Sequence, residues 1–282
     1  MNRDPRRRAA VQVAVGALVA AGIVYLAASL TRIGQQLDFS AVDHHRFDRT
    51  LPRDEHLYTV LIDAVALVLV PCLLWVGRRR PRLLGAISVA AVAAYLVCAL
   101  LKHLLPRPTL LAGIQFGNSF PSSHAAVSTV LALGLVVLAP TRRTAVLSGT
   151  AAALLATFVV YEPIHRTSDV LGGMLVGTAA IALVLAFAAD GPSGVPPVGS
   201  EWWVLRALPV QLLAFAVLGQ YGATRAGLSL TDFGPGFLVA MVLITATADA
   251  LVGLTLRLAA VDDAAAPSGP AGAQPRSTPT LA

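Results

Sequence analysis

Charge is scarce in this chain. Of 282 residues only 13% are Asp, Glu, Lys or Arg, against 56% hydrophobic, and the mean hydropathy is +0.72. A soluble globular domain carries about 25% charge, so this composition argues against that class. Cysteine is nearly absent as well. Cys72 and Cys98 fall inside apolar runs without metal-type spacing, and they read as small buried hydrophobes rather than as a disulfide. Ten-residue segments of alternating hydrophobicity are missing, which removes a membrane β-barrel. No internal repeat of fixed period occurs, nor a symmetric pair of broken helices such as builds secondary transporters. Lysine is the rarest charge: Lys102 stands alone among 21 basic residues.

What is present is apolar sequence in blocks. A bilayer-crossing helix needs about 20 such residues. Eight blocks qualify as helical spans: 9–31, 58–77, 83–101, 125–139, 144–161, 170–189, 203–222 and 235–258. The fourth is short, and Pro209 and Gly234-Pro235-Gly236 interrupt or border the last two. The fold class is therefore all-α and polytopic. The first block exceeds the 7–15-residue core of a cleaved signal peptide and reads as an uncleaved anchor. Arginines gather before the first block (Arg3, Arg6, Arg7, Arg8), after the second (Arg78, Arg79, Arg80, Arg82) and after the fourth (Arg142, Arg143). If every span crosses, these clusters share one side, which the positive-inside rule makes cytoplasmic together with both termini. The net charge of +6 is thus a topological signal and no nucleic-acid footprint.

This reading divides the chain into a basic cytoplasmic start (1–8), a membrane core (9–189), a Gly/Pro-rich linker (190–201), two additional transmembrane helices (202–260) and a disordered Pro-rich tail (261–282). Residues 32–57 form a polar loop on the outer side, in which Asp38, Asp43, Asp48, Asp54 and Glu55 dilute four arginines.

Three polar clusters interrupt the core where spans end or begin, and the topology puts all of them on the extracytoplasmic side. The first is Lys102 with Arg107-Pro108. It supplies cations that can hold oxyanions, on the side where the positive-inside rule disfavours mere anchoring charges. The second is Pro121-Ser122-Ser123-His124, where serine precedes an apolar helix as an N-cap. A helix start presents unpaired N–H groups and a positive dipole end to an anion. By itself the cluster is equally a plain capped helix entry. The third is His165-Arg166-Thr167-Ser168-Asp169. On a helix, His165 and Asp169 would share a face, so the carboxylate could fix one ring nitrogen and leave the other free to attack. A solvated helix terminus explains the same residues without chemistry.

In order and in kind, these clusters resemble the phosphatidic acid phosphatase type 2 (PAP2) superfamily, whose soluble relatives include the vanadium haloperoxidases. Its three signatures, Lys-x6-Arg-Pro, Pro-Ser-Gly-His and Ser-Arg-x5-His-x3-Asp, stand here as KHLLPRP (102–108), PSSH (121–124) and HRTSD (165–169). The resemblance implies a six-helix core with the site at the outer membrane surface, so that the last two spans are an appendage. It implies a lipid phosphatase acting on a phosphate monoester or diphosphate, such as an isoprenyl diphosphate or phosphatidate. His165 would be the nucleophile, Asp169 its orienting partner and His124 the general acid. Lys102, Arg107, Ser122 and the backbone N–H of Ser123 would hold the phosphate, with no cofactor or metal. Two departures are visible. Four residues rather than six separate Lys102 from Arg107, and Phe158-Val159 occupy the place of the Ser-Arg pair.

Other readings use the remaining polar residues. Asp63 and Asp249 lie within apolar runs, where a carboxylate is a functional candidate; an ion-coupled transporter would use them, whereas interhelical partners are the simpler role. Asp63 could also stand behind the cations of the phosphate pocket. His44, His45 and His56 share the outer loop without paired metal spacing. A zinc site from His103, His124, His165 and Asp169 is opposed by the lysine, arginine and serines beside them, which suit an anion. A lipid head-group phosphotransferase and a non-catalytic lipid-phosphate binder use the same parts as the hydrolase. The expected partner is a phosphate-bearing membrane lipid and no nucleic acid. Oligomeric state is not legible.

Overall fold

A computed structural model of the chain describes residues 5–41, 69–111, 117–161, 165–188, 211 and 235–265. Among these residues all regular structure is helical. In chain order they are α1 (Pro5–Val24), which continues through a π-helical turn (Tyr25–Ser29), α2 (Arg32–Ser40), α3 (Pro81–Leu104), α4 (Ser123–Leu138), α5 (Arg142–Tyr161), α6 (Thr167–Phe187) and α7 (Pro235–Ala265). Residues 69–77 are helical too. Five helices have the length and apolarity to cross a membrane: Pro5–Ser29, Pro81–Leu104, Arg142–Val160, Thr167–Phe187 and Pro235–Ala260. The chain is an all-α, multi-pass membrane protein. α4 is apolar but only 16 residues long, about 24 Å, as its short sequence block foretold. Of the eight expected spans, most of 58–77 and 203–222 and the linker 190–201 lie outside the described residues. The helix of the last span runs on to Ala265, past the expected boundary of the tail at 260.

α6 is the centre of the bundle. It is apolar on every face, as a helix must be when neighbours surround it, and α1, α3, α4 and α7 pack on it. In lipid the hydrophobic effect does not drive helices together, so close fit between small residues must. α1 offers α6 a stripe of alanines (Ala10, Ala14, Ala17, Ala21) and turns Val15, Leu18, Val19 and Ile23 outward. α3 repeats the pattern, with Leu83, Ile87, Ala90, Ala94 and Cys98 inward and Val89, Val92, Leu96 and Leu100 outward. These exposed rows are the surface expected to meet acyl chains.

α6 meets α4 through glycine. A Cβ on Gly173 would strike the Ser122 carbonyl oxygen, and one on Gly177 would lie 2.5 Å from the Ala126 carbonyl oxygen. Only bare backbone lets these helices approach so closely, and the approach holds the two helix starts side by side.

The chain threads the bundle between two ends. At one end lie the starts of α1, α3 and α5 with Arg6–Arg8, Arg78–Arg82 and Arg142–Arg143, and there the Arg7 guanidinium stacks on Phe187 at the finish of α6. At the other end lie the finish of α1, all of α2, the finish of α3 and the starts of α4 and α6. The three polar clusters meet there.

Candidate active site

Lys102 is in the last turn of α3. Its ammonium lies 3.4 Å from the Ser123 hydroxyl at the start of α4. α3 stops at Leu104, and its last carbonyls would be orphaned without an outside donor. Asn118 serves them: its Nδ2 donates to the carbonyls of Lys102 (3.2 Å) and Leu105 (2.8 Å), while its Oδ1 accepts from the N–H of Phe120 (3.1 Å). Phe120 then wedges beside the Tyr25 ring, at 5.3 Å between centroids, and over Gly172, whose missing Cβ leaves room for it. The segment before α4 is thereby fastened to α1, α3 and α6 together.

Ser122 is the N-cap of α4, as its sequence context predicts: its Oγ accepts from the Ala125 N–H at 3.3 Å. Its own N–H donates to the Asp169 carbonyl at 2.8 Å, so this buried serine stitches the second motif to the third. The Ser122 amide is used in this way, while its hydroxyl accepts from Ala125 and keeps its own O–H to donate; the Ser123 hydroxyl lies beside Lys102.

His124 is exposed and His165 is buried, with ring centroids 6.0 Å apart and edge to face. Two imidazoles 41 residues apart in sequence thus sit within reach of one tetrahedral group. Partial burial, and then the Lys102 ammonium, pull the His124 pKa below the ordinary histidine value.

One sequence-based expectation does not hold. α6 begins at Thr167, and Arg166 has extended backbone, so His165 and Asp169 do not share a helical face. Asp169 is the N3 residue of α6, and its carboxylate accepts the Arg166 N–H at 2.9 Å as half of a capping box. It also accepts the Ser119 hydroxyl and, at 2.7 Å, Nη1 of Arg107. A carboxylate so engaged stabilises the turn that carries His165.

Arg107, expected from the sequence to hold phosphate, is itself held by acids. Its side chain is 3% exposed and lies between two carboxylates, with Nη1 on Asp169 and Nη2 on Asp38 at 2.9 Å. The short spacing after Lys102 places it three residues beyond the end of α3, where it turns toward the start of α6. Asp38 also accepts the Ser168 N–H at 2.9 Å and the Ser168 hydroxyl. Asp38 was read from the sequence as one of several acids in an outer polar loop. That loop instead opens with α2, capped by Thr31 and folded back on the π turn so closely that position 34 must be glycine. Gln35 secures α2 by donating to the Ser29 and Pro108 carbonyls and accepting from the Leu110 N–H. The acid standing behind the site's cation is thus Asp38; Asp63, the residue considered for that place, lies outside the described residues.

Arg166 belongs electrostatically to the same cluster. Burial and Arg107 lower its pKa, Asp169 and Asp38 raise it, and it remains a cation beside His165. Val159, in the place of the arginine of the third signature, is buried in the apolar core and brings no charge. Among the described residues no group of three His, Cys, Asp or Glu side chains is arranged to hold a metal ion; His44, His45 and His56 lie outside them. Asp249 meets Gln211 at 2.8 Å, both buried, which is the interhelical pairing expected of an intramembrane carboxylate.

Residues 83–191 match the family model of the PAP2 superfamily. This segment is a PAP2 superfamily domain. It takes in every motif residue from Lys102 to Asp169, while α1, α2 and α7 fall outside the match. No curated protein and no solved structure matches the chain. The protein therefore carries a phosphatase-type domain inside a multi-pass helical membrane bundle.

Proposed function

We propose that the protein is a membrane lipid phosphatase that cleaves a phosphate monoester or diphosphate through a phosphohistidine. The juxtaposition of His124 and His165 carries this reading: a buried ring and an exposed ring, 6.0 Å apart, beside the Lys102 ammonium and two helix starts. A nitrogen of His165 attacks phosphorus and forms the P–N bond as the bond from phosphorus to the leaving oxygen breaks. His124, as imidazolium, gives its proton to that oxygen. Neutral His124 then takes a proton from water as its oxygen attacks the phosphohistidine, and the P–N bond breaks to release phosphate. Lys102, the Ser123 hydroxyl and Arg166 balance the charge on the non-bridging oxygens, which is the larger part of phosphoryl-transfer catalysis.

The lipid follows from the surroundings. The helices around the site turn apolar rows outward, so a head group can enter the polar end while its tail stays among acyl chains. The arginines at the opposite end argue that the site faces away from the cytoplasm and that the N-terminus lies inside. The test is phosphate release by purified protein in detergent with chelator, over lipid monophosphates and diphosphates. Turnover should vanish in His165→Ala. Turnover that persists undiminished in that variant would end the proposal.

A further inference from the structure

Among the described residues Asp38 is the one acid at the site end that comes from outside the PAP2 segment, 130 residues from the partner it holds. It is 5% exposed, and among the described residues the bonds it accepts come from Arg107 and Ser168, which shape the site. Burying a carboxylate costs several kcal/mol unless bonds compensate. Here the compensation is the Arg107 guanidinium together with the N–H and hydroxyl of Ser168, close to the positive end of the α6 dipole. Neutralising Arg107 does not require it, since Asp169 already pairs with that guanidinium. Asp38 is thus the second carboxylate on Arg107 and also faces the Arg166 cation, and its geometry indicates a further use. It bridges α2, the loop after α3 and the first turn of α6.

We propose that Asp38 is a positioning residue for His165, tying the 165–169 turn to α2 so that the buried imidazole faces His124. This rests on the phosphatase reading. One tie is direct, through Ser168, three residues beyond His165. The other runs through Arg107 to Asp169, which caps the same turn. Arg107 in this arrangement is a structural cation, and the anion of the substrate falls to Lys102, Arg166 and the start of α4.

The proposal has a pH signature. Among the described residues the groups facing Asp38 are Arg107 from the loop after α3, and Ser168, Asp169 and Arg166 from the start of α6. Burial, aided by the charge of Asp169, outweighs the bonds from Ser168 and Arg107 and raises the Asp38 pKa above the ordinary aspartate value. As pH falls through that raised value, Asp38 turns neutral while its ordinary counterparts are still charged, and both ties slacken.

The experiment uses the full chain in detergent and measures kcat and KM on phosphatidate across the acid-to-neutral range. Asp38→Asn should lower kcat by about ten- to a hundredfold with KM changed by less than about threefold, the signature of a misplaced nucleophile. Asp38→Asn, which already lacks the charge, should lose the part of the wild-type acid limb of kcat that follows Asp38 and fall less steeply toward acid pH, and Asp38→Glu should recover part of the rate. Ser168→Ala, which removes a single bond, gives a smaller loss of the same kind and serves if Asp38→Asn does not fold. Histidine NMR supplies a readout independent of turnover: the ring signal lost in His165→Ala should be displaced in Asp38→Asn. A folded Asp38→Asn with unchanged kcat and pH profile, or an unmoved His165 signal, overturns the assignment. Wild-type protein inactive on every lipid phosphate would overturn the phosphatase reading instead, and the NMR signal would still decide the role of Asp38.

Discussion

The chemistry of the site depends on two histidines in unlike surroundings. His165 is buried in the turn before α6; His124 is exposed near the Lys102 ammonium. Because partial burial and then Lys102 lower the His124 pKa from its ordinary value, less of the free enzyme carries the acid form at a given pH until substrate adds negative charge. The sign is unambiguous: kcat/KM for lipid phosphate should fall as pH rises through that lowered pKa, and pH–rate profiles of free enzyme read it directly. His124→Ala should cost about 10²- to 10⁴-fold in turnover, the usual worth of a general acid, and should remove that alkaline limb. Arg107 makes a different prediction. Replacing it with alanine leaves Asp38 and Asp169 buried without their shared cation, and breaking a buried pair in this way costs about 3–5 kcal/mol. Thermal unfolding in detergent should show a large loss of stability for Arg107→Ala. A phosphate-gripping arginine would instead raise KM and leave the unfolding temperature nearly unchanged.

At the level of helices, the contact between α4 and α6 sets how close the second and third motifs come. Gly173 and Gly177 face backbone carbonyls of α4, which cannot swing aside as a side chain can. Gly173→Ala should therefore destabilise by about 1–3 kcal/mol and lower activity along with stability. Gly16 and Gly22 on α1 face open space. Alanine there should be neutral or gain up to about 1 kcal/mol from helix propensity, and unfolding curves of the three variants give the comparison. These glycines look alike in sequence, and only their neighbours separate them. The helix termini were more legible: Ser122 before an apolar run announced a cap, and the cap is there. The turn at His165–Asp169 was misjudged because an i, i+4 spacing describes geometry only inside a helix, and this helix starts at Thr167.

Over the whole molecule, a basic end and a catalytic end follow from how the helices alternate. If the site faces away from the cytoplasm, single cysteines at Gln36 and Arg79, both exposed and at opposite ends, should behave oppositely in a Cys72→Ser background. A membrane-impermeant maleimide should label position 36 in intact cells, and position 79 only after permeabilisation. The reverse pattern would put the site inside.

Composition and run length alone determined that the chain is helical and membrane-embedded, because a bilayer imposes a minimum length of apolar helix and admits few polar exceptions. The exceptions, Lys102, His124, His165 and Asp169, were conspicuous for that reason. Asp38, Asn118 and Ser119 were not: each is an ordinary residue outside the apolar runs, and each matters through a partner that only folding brings to it, Ser168 and Arg107 for Asp38, the end of α3 for Asn118 and Asp169 for Ser119. Tertiary structure alone decided that Arg107 is held by two carboxylates and that α2 is tied to the first turn of α6, since a buried charge takes its meaning from whichever opposite charge folding brings against it.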